Sequence, residues 1–127
     1  MYYLGVDWGK SKCGLAIADE ENLIASSYKQ VSEPDLYQEI LFFSRKESIK
    51  KIILGFHEDL KREKKFRDFL EKIKELNIEL ELENEKFSTQ MAQKNLIKAD
   101  RKKISQIDDV ESARIILQGW LDKNNSK

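Results

Sequence analysis

Apolar positions along the chain alternate between short continuous runs and longer stretches with helical spacing. Tyr2 to Asp7 and Cys13 to Asp19 are apolar, separated by Trp8 to Lys12 with Gly9 inside it, and Leu23 to Val31 follows the polar Glu20, Glu21 and Asn22. That pattern predicts three strands in an antiparallel meander. Ser32 opens Ser-Glu-Pro-Asp, with a hydroxyl suited to an N-cap, Pro34 in the first turn and Asp35 three residues after the serine. A first helix carrying Leu36, Ile40, Leu41 and Phe43 is therefore expected as far as about Glu47.

Ile49 to Gly55 holds Ile52, Ile53 and Leu54 in a row, the continuous run of a buried parallel strand. Lys61 to Leu76 repeats Phe66, Phe69, Leu70, Ile73 and Leu76 at intervals of three and four, with Asn77 as its C-cap, and reads as a helix. Ile78 to Glu83 alternates Ile, Glu, Leu, Glu, Leu, Glu, which predicts an edge strand with its glutamates on a wet face. Ser88 caps a helix to about Lys98, and Asp108 to Asp122 forms a last helix with Val110, Ala113, Ile116, Leu117 and Trp120 on one stripe. The order βββαβαβαα gives an α/β domain: a mixed five-stranded sheet, three antiparallel strands then two parallel, flanked by helices. This is the order of an RNase H-like domain, and nothing in residues 1–127 reads as an internal linker or repeat, so one such domain is expected.

Composition narrows the chemistry. With 127 residues, 40% of them hydrophobic, the chain is long enough for one buried core. It has 23 basic and 23 acidic side chains, so attraction to a polyanion has to come from local patches. Cys13 and His57 are the sole cysteine and histidine, which excludes an intrachain disulfide and any zinc site needing two such ligands. Serine or cysteine nucleophile machinery would have to pass through His57, and its surroundings do not resemble such a site. The N-terminus lacks a basic leader before an apolar stretch, and no apolar run approaches a membrane span, so a cytoplasmic protein without membrane contact is expected.

Carboxylates remain as the reactive groups. Asp7 ends the most apolar strand, where an acid is costly unless a cation or several donors face it; the alternative is an aspartate that starts the following turn through its own backbone. Asp109 lies four residues before Ala113 and seven before Ile116, close to the apolar stripe and so aimed at the sheet, although first-turn stabilisation of the helix dipole accounts for it equally well. Asp108 is the better N-cap. Glu85 shares its alternation with Glu79, Glu81 and Glu83, which by pattern alone puts it on the wet face. If the three acids meet, they form an oxygen-rich, histidine-free cluster suited to Mg²⁺ or Mn²⁺ and to phosphoryl transfer.

Basic residues gather at Lys61-Arg62 with Lys64-Lys65, and at Lys98 with Arg101-Lys102-Lys103. Such runs are commonly solvated faces. The second, however, leads directly into Asp109, where the phosphates of a bound nucleic acid would pass; Lys10 and Lys12 in the first turn and Lys86 beside Glu85 join it as candidate phosphate contacts. Trp8 is open to two readings, a base-stacking surface or a core aromatic. His57, in the loop after the buried strand, reads as a surface histidine, with a substrate contact as the alternative.

The segments GVDWGKSKCGLAIADE, LIAS, IILGF, NEKFSTQMA and DDVESARIILQGWL resemble, in order and spacing, the bacterial YqgF/RuvX-like family, described as Holliday-junction resolvases and pre-16S rRNA processing nucleases. The resemblance spans essentially the whole chain and is most specific at Asp7-aromatic-Gly with Gly14, and at the closing Asp109 with Ser112 and Ala113. It implies an RNase H-like fold and places the family's three acids on Asp7, Glu85 and Asp109, overruling the alternation argument for Glu85. Three departures surround these acids: Asn84-Glu85-Lys86 for the usual Asp-Glu-Arg, Phe56-His57-Glu58-Asp59-Leu60 for a Gly-x-Pro loop, and Lys10 for threonine.

The expected function is a divalent-metal-dependent endonuclease of structured nucleic acid acting as a monomer or weak homodimer, with pre-16S rRNA maturation as the preferred context. A junction resolvase on branched DNA would use the same chemistry and a symmetric dimer. A catalytically weak or inactive RNA-binding domain is the further alternative, motivated by the altered loops. An actin-like or sugar-kinase-like ATPase would need two lobes, for which 127 residues are too few.

Overall fold

The computed structural model describes residues 1–84 and 109–124, the first two residues of the final helix by their backbone. Five strands, β1 (Tyr2–Asp7), β2 (Lys12–Asp19), β3 (Ser26–Ser32), β4 (Ile49–Phe56) and β5 (Glu79–Asn84), form one sheet in the order β3-β2-β1-β4-β5. β2 runs antiparallel to both β1 and β3, while β4 is parallel to β1 and to β5. The helices are α1 (Leu36–Lys46), α2 (Lys64–Lys74) and, after the segment 85–108, α3 (Asp109–Asn124). The predicted mixed sheet, its three-strand meander and its two parallel strands are all present. The helix expected from Ser88 to Lys98 lies outside the described residues.

Each face of the sheet buries a different set of side chains. Leu4, Val6, Leu15, Ile52 and Leu54 point to the face covered by α1 and α2, which contribute Leu36, Ile40, Phe43, Phe66, Phe69 and Ile73. The opposite face is paved with Tyr3, Ala16, Ala18 and Ile53 under Ala113, Ile116, Leu117, Trp120 and Leu121 of α3. Small residues on that face let the helix come close. At Gly5 the approach is tightest, because a Cβ there would stand 2.8 Å from Leu117 Cβ and 3.1 Å from the Ala113 carbonyl oxygen.

Several boundaries differ from the pattern-based expectation, each for a local reason. β3 begins at Ser26 instead of Leu23, because Leu23 adopts a left-handed backbone, φ 58°, in a turn closed by its N–H onto the Asp19 carbonyl. The single helix expected from Lys61 divides into a 3-10 turn, Glu58–Arg62, and α2 proper, with Glu63 extended between them; burial of Leu60 turns the chain inward there. The helix ends at Lys74 with Glu75 as its C-cap, short of the expected Leu76, and Asn77 takes the left-handed conformation, φ 57°, in the turn that follows. Ser32 introduces a short 3-10 turn, Glu33–Asp35, ahead of α1, and its hydroxyl donates to the Asp35 carboxylate at 2.8 Å, with no side-chain bond to the backbone.

The largest correction concerns β5. Its glutamates form a wet face only at Glu79, which is exposed: Glu83 is 4% exposed and pairs with Lys123 of α3, and Glu81 accepts a hydrogen bond from the Trp120 indole N–H. Leu82, on the other face, is 46% exposed. Period-two alternation identifies two faces but not which one the rest of the fold covers, and here α3 covers the acidic one. Among the described residues, no helix is long and apolar enough to cross a membrane.

Candidate active site

Asp7 closes β1, the middle strand of the sheet, and is half-buried. Side chains alternate along β1, and Tyr3 and Gly5 face α3, so Asp7 belongs to that same face at the carboxyl end of the strand. Its cross-strand neighbour on β2 is Gly14, which presents no side chain beside the carboxylate.

The turn that follows is held rigidly. A Cβ on Gly9 would lie 2.4 Å from the Lys12 carbonyl oxygen, so the β1–β2 connection closes tightly only around glycine. Cys13 braces it from below, its sulfur receiving the Gly9 N–H at 3.4 Å and donating to the Gly9 carbonyl at 3.5 Å. Trp8, immediately after Asp7, is 5% exposed, packs edge-on against Phe66 with centroids 5.4 Å apart, and donates its indole N–H to Glu33 at 3.3 Å. The base-stacking reading of Trp8 is thereby replaced by a core role, because its ring is spent on α2.

Helix α3 runs against the direction of β1. Its Trp120 ring lies on Tyr3 near the start of the strand, at a centroid distance of 5.2 Å. Leu117 and Ala113 meet Gly5, further along. One more helical turn back from Ala113, about 5–6 Å, brings the backbone to Asp109, and two more residues along β1, about 6–7 Å, bring it to Asp7. Asp7 and the start of α3 therefore share one end of one face. Ala113 and Ile116 are buried, as the apolar stripe predicted for this helix requires.

Glu85, Lys86, Lys98, Arg101, Lys102 and Lys103 lie outside the described residues. Among the described residues, no three His, Cys, Asp or Glu side chains group so as to hold a metal ion. Lys12 is exposed at the start of β2, opposite Ser32, and by alternation with Gly14 and Ala16 it stands on the face of Asp7. Lys10 leans the other way, to an ion pair with Glu63 at 3.0 Å ahead of α2. His57 is half-buried between β4 and the 3-10 turn.

The described charge perturbations lie elsewhere. Glu20, whose carboxyl is held below its ordinary value chiefly by a hydrogen bond from Lys50 at 3.2 Å, joins β2 to the start of β4 at the far end of the sheet. Arg114 is raised by its hydrogen bonds to Glu111 one turn earlier on α3. The contacts of Glu81 and Glu83 with α3 escape a reading of the strand alone, since their partners Trp120 and Lys123 are about forty positions away in sequence.

A mixed sheet with this strand order, three antiparallel strands and then two reached by parallel crossovers, with helices on both faces, defines an RNase H-like fold. The family described as RuvX, Holliday junction resolvase, matches residues 1–123, and the chain belongs to that family. Among curated proteins, relatives from Halothermothrix orenii and Bacteroides fragilis carry the name "Putative pre-16S rRNA nuclease". The first is 32% identical, covering 98% of this chain and 97% of the relative. The second is 26% identical, covering 94% of each. Among solved structures, Thermus thermophilus RuvC in complex with a Holliday junction substrate superposes with a TM-score of 0.63 at 14% identity over 98% of this chain and 96% of that one. The Fowlpox virus resolvase complex with junction DNA gives 0.58 at 13% over 98% and 99%; at such identities the likeness is one of fold.

Proposed function

We propose that residues 1–127 act as one divalent-metal-dependent endonuclease domain for structured nucleic acid, with Asp7, Glu85 and Asp109 as its metal ligands. The observation that carries this reading is the convergence of Asp7 and the start of α3 on one end of the same sheet face. Glu85 has the sequence parity of Glu83, whose side chain meets α3 on that face. The donor set consists of carboxylate oxygens with no histidine or cysteine, which suits Mg²⁺ or Mn²⁺. When bound, such a metal supplies the positive charge that activates a water and offsets charge on the leaving oxygen of a phosphodiester.

The chain's own residues set the stage for that chemistry. Gly9 and Cys13 hold the backbone after Asp7 in one conformation, and Trp8 anchors it to α2, so the carboxylate is presented with little reorganisation. Lys12, with Lys86, Lys98, Arg101, Lys102 and Lys103, offers cations to the flanking phosphates; Lys10 serves a phosphate only by exchanging its partner Glu63. The buried Cys13 is compatible with a reducing cytoplasm, where ribosomes mature.

Pre-16S rRNA is the preferred substrate, favoured by the names of the full-length curated relatives. Four-way DNA junctions are the second reading, favoured by the family's description and by a junction-bound structure of the same fold. Labelled pre-16S rRNA fragments and a four-way junction, each with Mg²⁺, Mn²⁺ or EDTA, decide between them. Metal-dependent cutting that Asp7→Asn abolishes is expected; cutting that persists in EDTA or in the variant defeats the reading.

A further inference from the structure

Arg62, Lys64 and Lys65 form an exposed cationic strip on the α1/α2 side of the β1–β2 turn, away from α3. Packing holds the strip in place. Leu60, 5% exposed, fixes the 3-10 turn that carries Arg62, and Phe66, 1% exposed, fixes the first turn of α2 that carries Lys64 and Lys65. Two contacts then tie this start of α2 to the residues after Asp7: the Trp8 ring against Phe66, and Lys10 against Glu63. The strip follows the carboxyl end of β4, the parallel neighbour of β1, and so stands at the same end of the sheet as Asp7.

Its charge is available. Lys10 is paired with Glu63, and Lys61 with Glu58 at 3.2 Å. Arg62, Lys64 and Lys65 have no carboxylate within ion-pair distance among the described residues; the acids nearby without an ion pair are Asp59, Asp68 further along α2, and Glu33, which shares a shallow pocket with Lys65 and accepts from the Trp8 indole. A phosphate arriving there also meets the amino end of an 11-residue helix, whose first-turn amides favour anions.

We propose that Arg62, Lys64 and Lys65 bind the phosphodiester backbone of a duplex arm of the substrate, on the opposite side of the Asp7 turn from α3. The surface rests on the nuclease reading above and adds a second footing to it. With the cations of α2 beside the Asp7 turn, a duplex arm would gain a footing next to the scissile position. The contact is to backbone, so it carries charge and register without base sequence.

The test measures binding of a labelled RNA duplex and a four-way DNA junction across a salt series, using the Asp7→Asn chain with and without Arg62→Gln, Lys64→Gln and Lys65→Gln. All three side chains are exposed, and an unchanged melting temperature verifies folding. The expected result is affinity weakened about tenfold or more near physiological salt, with the slope of log affinity against log salt reduced by about 2–3, roughly 0.9 for each lost phosphate contact. Arg45→Gln with Lys46→Gln, at the end of α1 where the chain turns towards the start of β4, should leave that slope unchanged. An unchanged slope in the triple variant, or an equal loss in the α1 control, overturns the proposed surface. If the chain with Asp7 intact nevertheless cuts with Mg²⁺, that failure concerns the surface alone; if it neither binds nor cuts, the nuclease reading falls with it.

Discussion

Gly5 of β1 and Leu117 of α3 are in direct contact, and a Cβ added at Gly5 would lie 2.8 Å from Leu117 Cβ and 3.1 Å from the Ala113 carbonyl. This contact sets the height of α3 above the sheet, and through the helix it sets how near Asp109 comes to Asp7. Gly5→Ala forces the helix outward, because neither Leu117 Cβ nor a backbone carbonyl can swing away. Overpacking of this kind costs about 1–3 kcal/mol. Thermal unfolding should show a lowered melting temperature, and cleavage under conditions where the variant is fully folded should fall further than substrate affinity does.

Asp108 and Asp109 are adjacent in sequence, yet the sequence pattern gives them different tasks, an N-cap for the first and a metal ligand for the second. Asp109→Asn is expected to lower the cleavage rate by about 10²-fold or more while leaving binding within a few-fold, as for groups that act on charge developing in the reaction. Asp108→Asn should remain within about threefold of the parent. Single-turnover cleavage with both variants checks the assignment, and comparable losses in the two would defeat it. Glu85→Gln should behave as Asp109→Asn does.

Glu83 is buried under the end of α3 and paired with Lys123, whose own side chain is about half exposed. Lys123→Met leaves a buried carboxylate without its ammonium partner, at an expected cost of about 1–3 kcal/mol once solvent access to the lysine is allowed for. Adding Glu83→Gln should recover part of that loss. Denaturant unfolding of the two single variants and the double variant measures the coupling, and strict additivity would show that the pair contributes nothing.

At the other end of the sheet, Lys50 and the N-terminal amine hold the Glu20 carboxyl below its ordinary value near 4.5. A folded value below the unfolded one means that the pair contributes above about pH 4.5 and that this contribution is lost as pH falls through the folded value. Glu20→Gln removes the dependence. Melting temperatures from pH 6 to pH 3 should therefore fall more steeply for the parent than for the variant, and parallel curves would refute the linkage.

Much of the architecture is legible in the sequence because burial dictates it locally. The run Ile52-Ile53-Leu54 is apolar on both sides, as a strand covered on both faces has to be, and Phe66, Phe69 and Ile73 mark the inward stripe of α2 without reference to any partner. The helical phase of Asp109 follows from Ala113 and Ile116 in the same way. Trp8 resists such reading, since an aromatic after a strand suits a ligand or a core equally until Phe66 is seen against it.

The sequence by itself determined the elements, their order, the antiparallel and parallel halves of the sheet, and the family to which the chain belongs. These depend on periodicity and on motifs that operate within a few residues. Tertiary structure alone decided which face of β5 is covered, so that Glu81 and Glu83 meet Trp120 and Lys123 where a wet face was expected. It also decided that Asp7 and the start of α3 arrive at the same end of the sheet. Alternation has a period but no sign: a strand with two distinct faces does not specify the side on which a helix many residues away will pack, and here that side is the one where Gly5, Ala16 and Ala18 admit α3 closely.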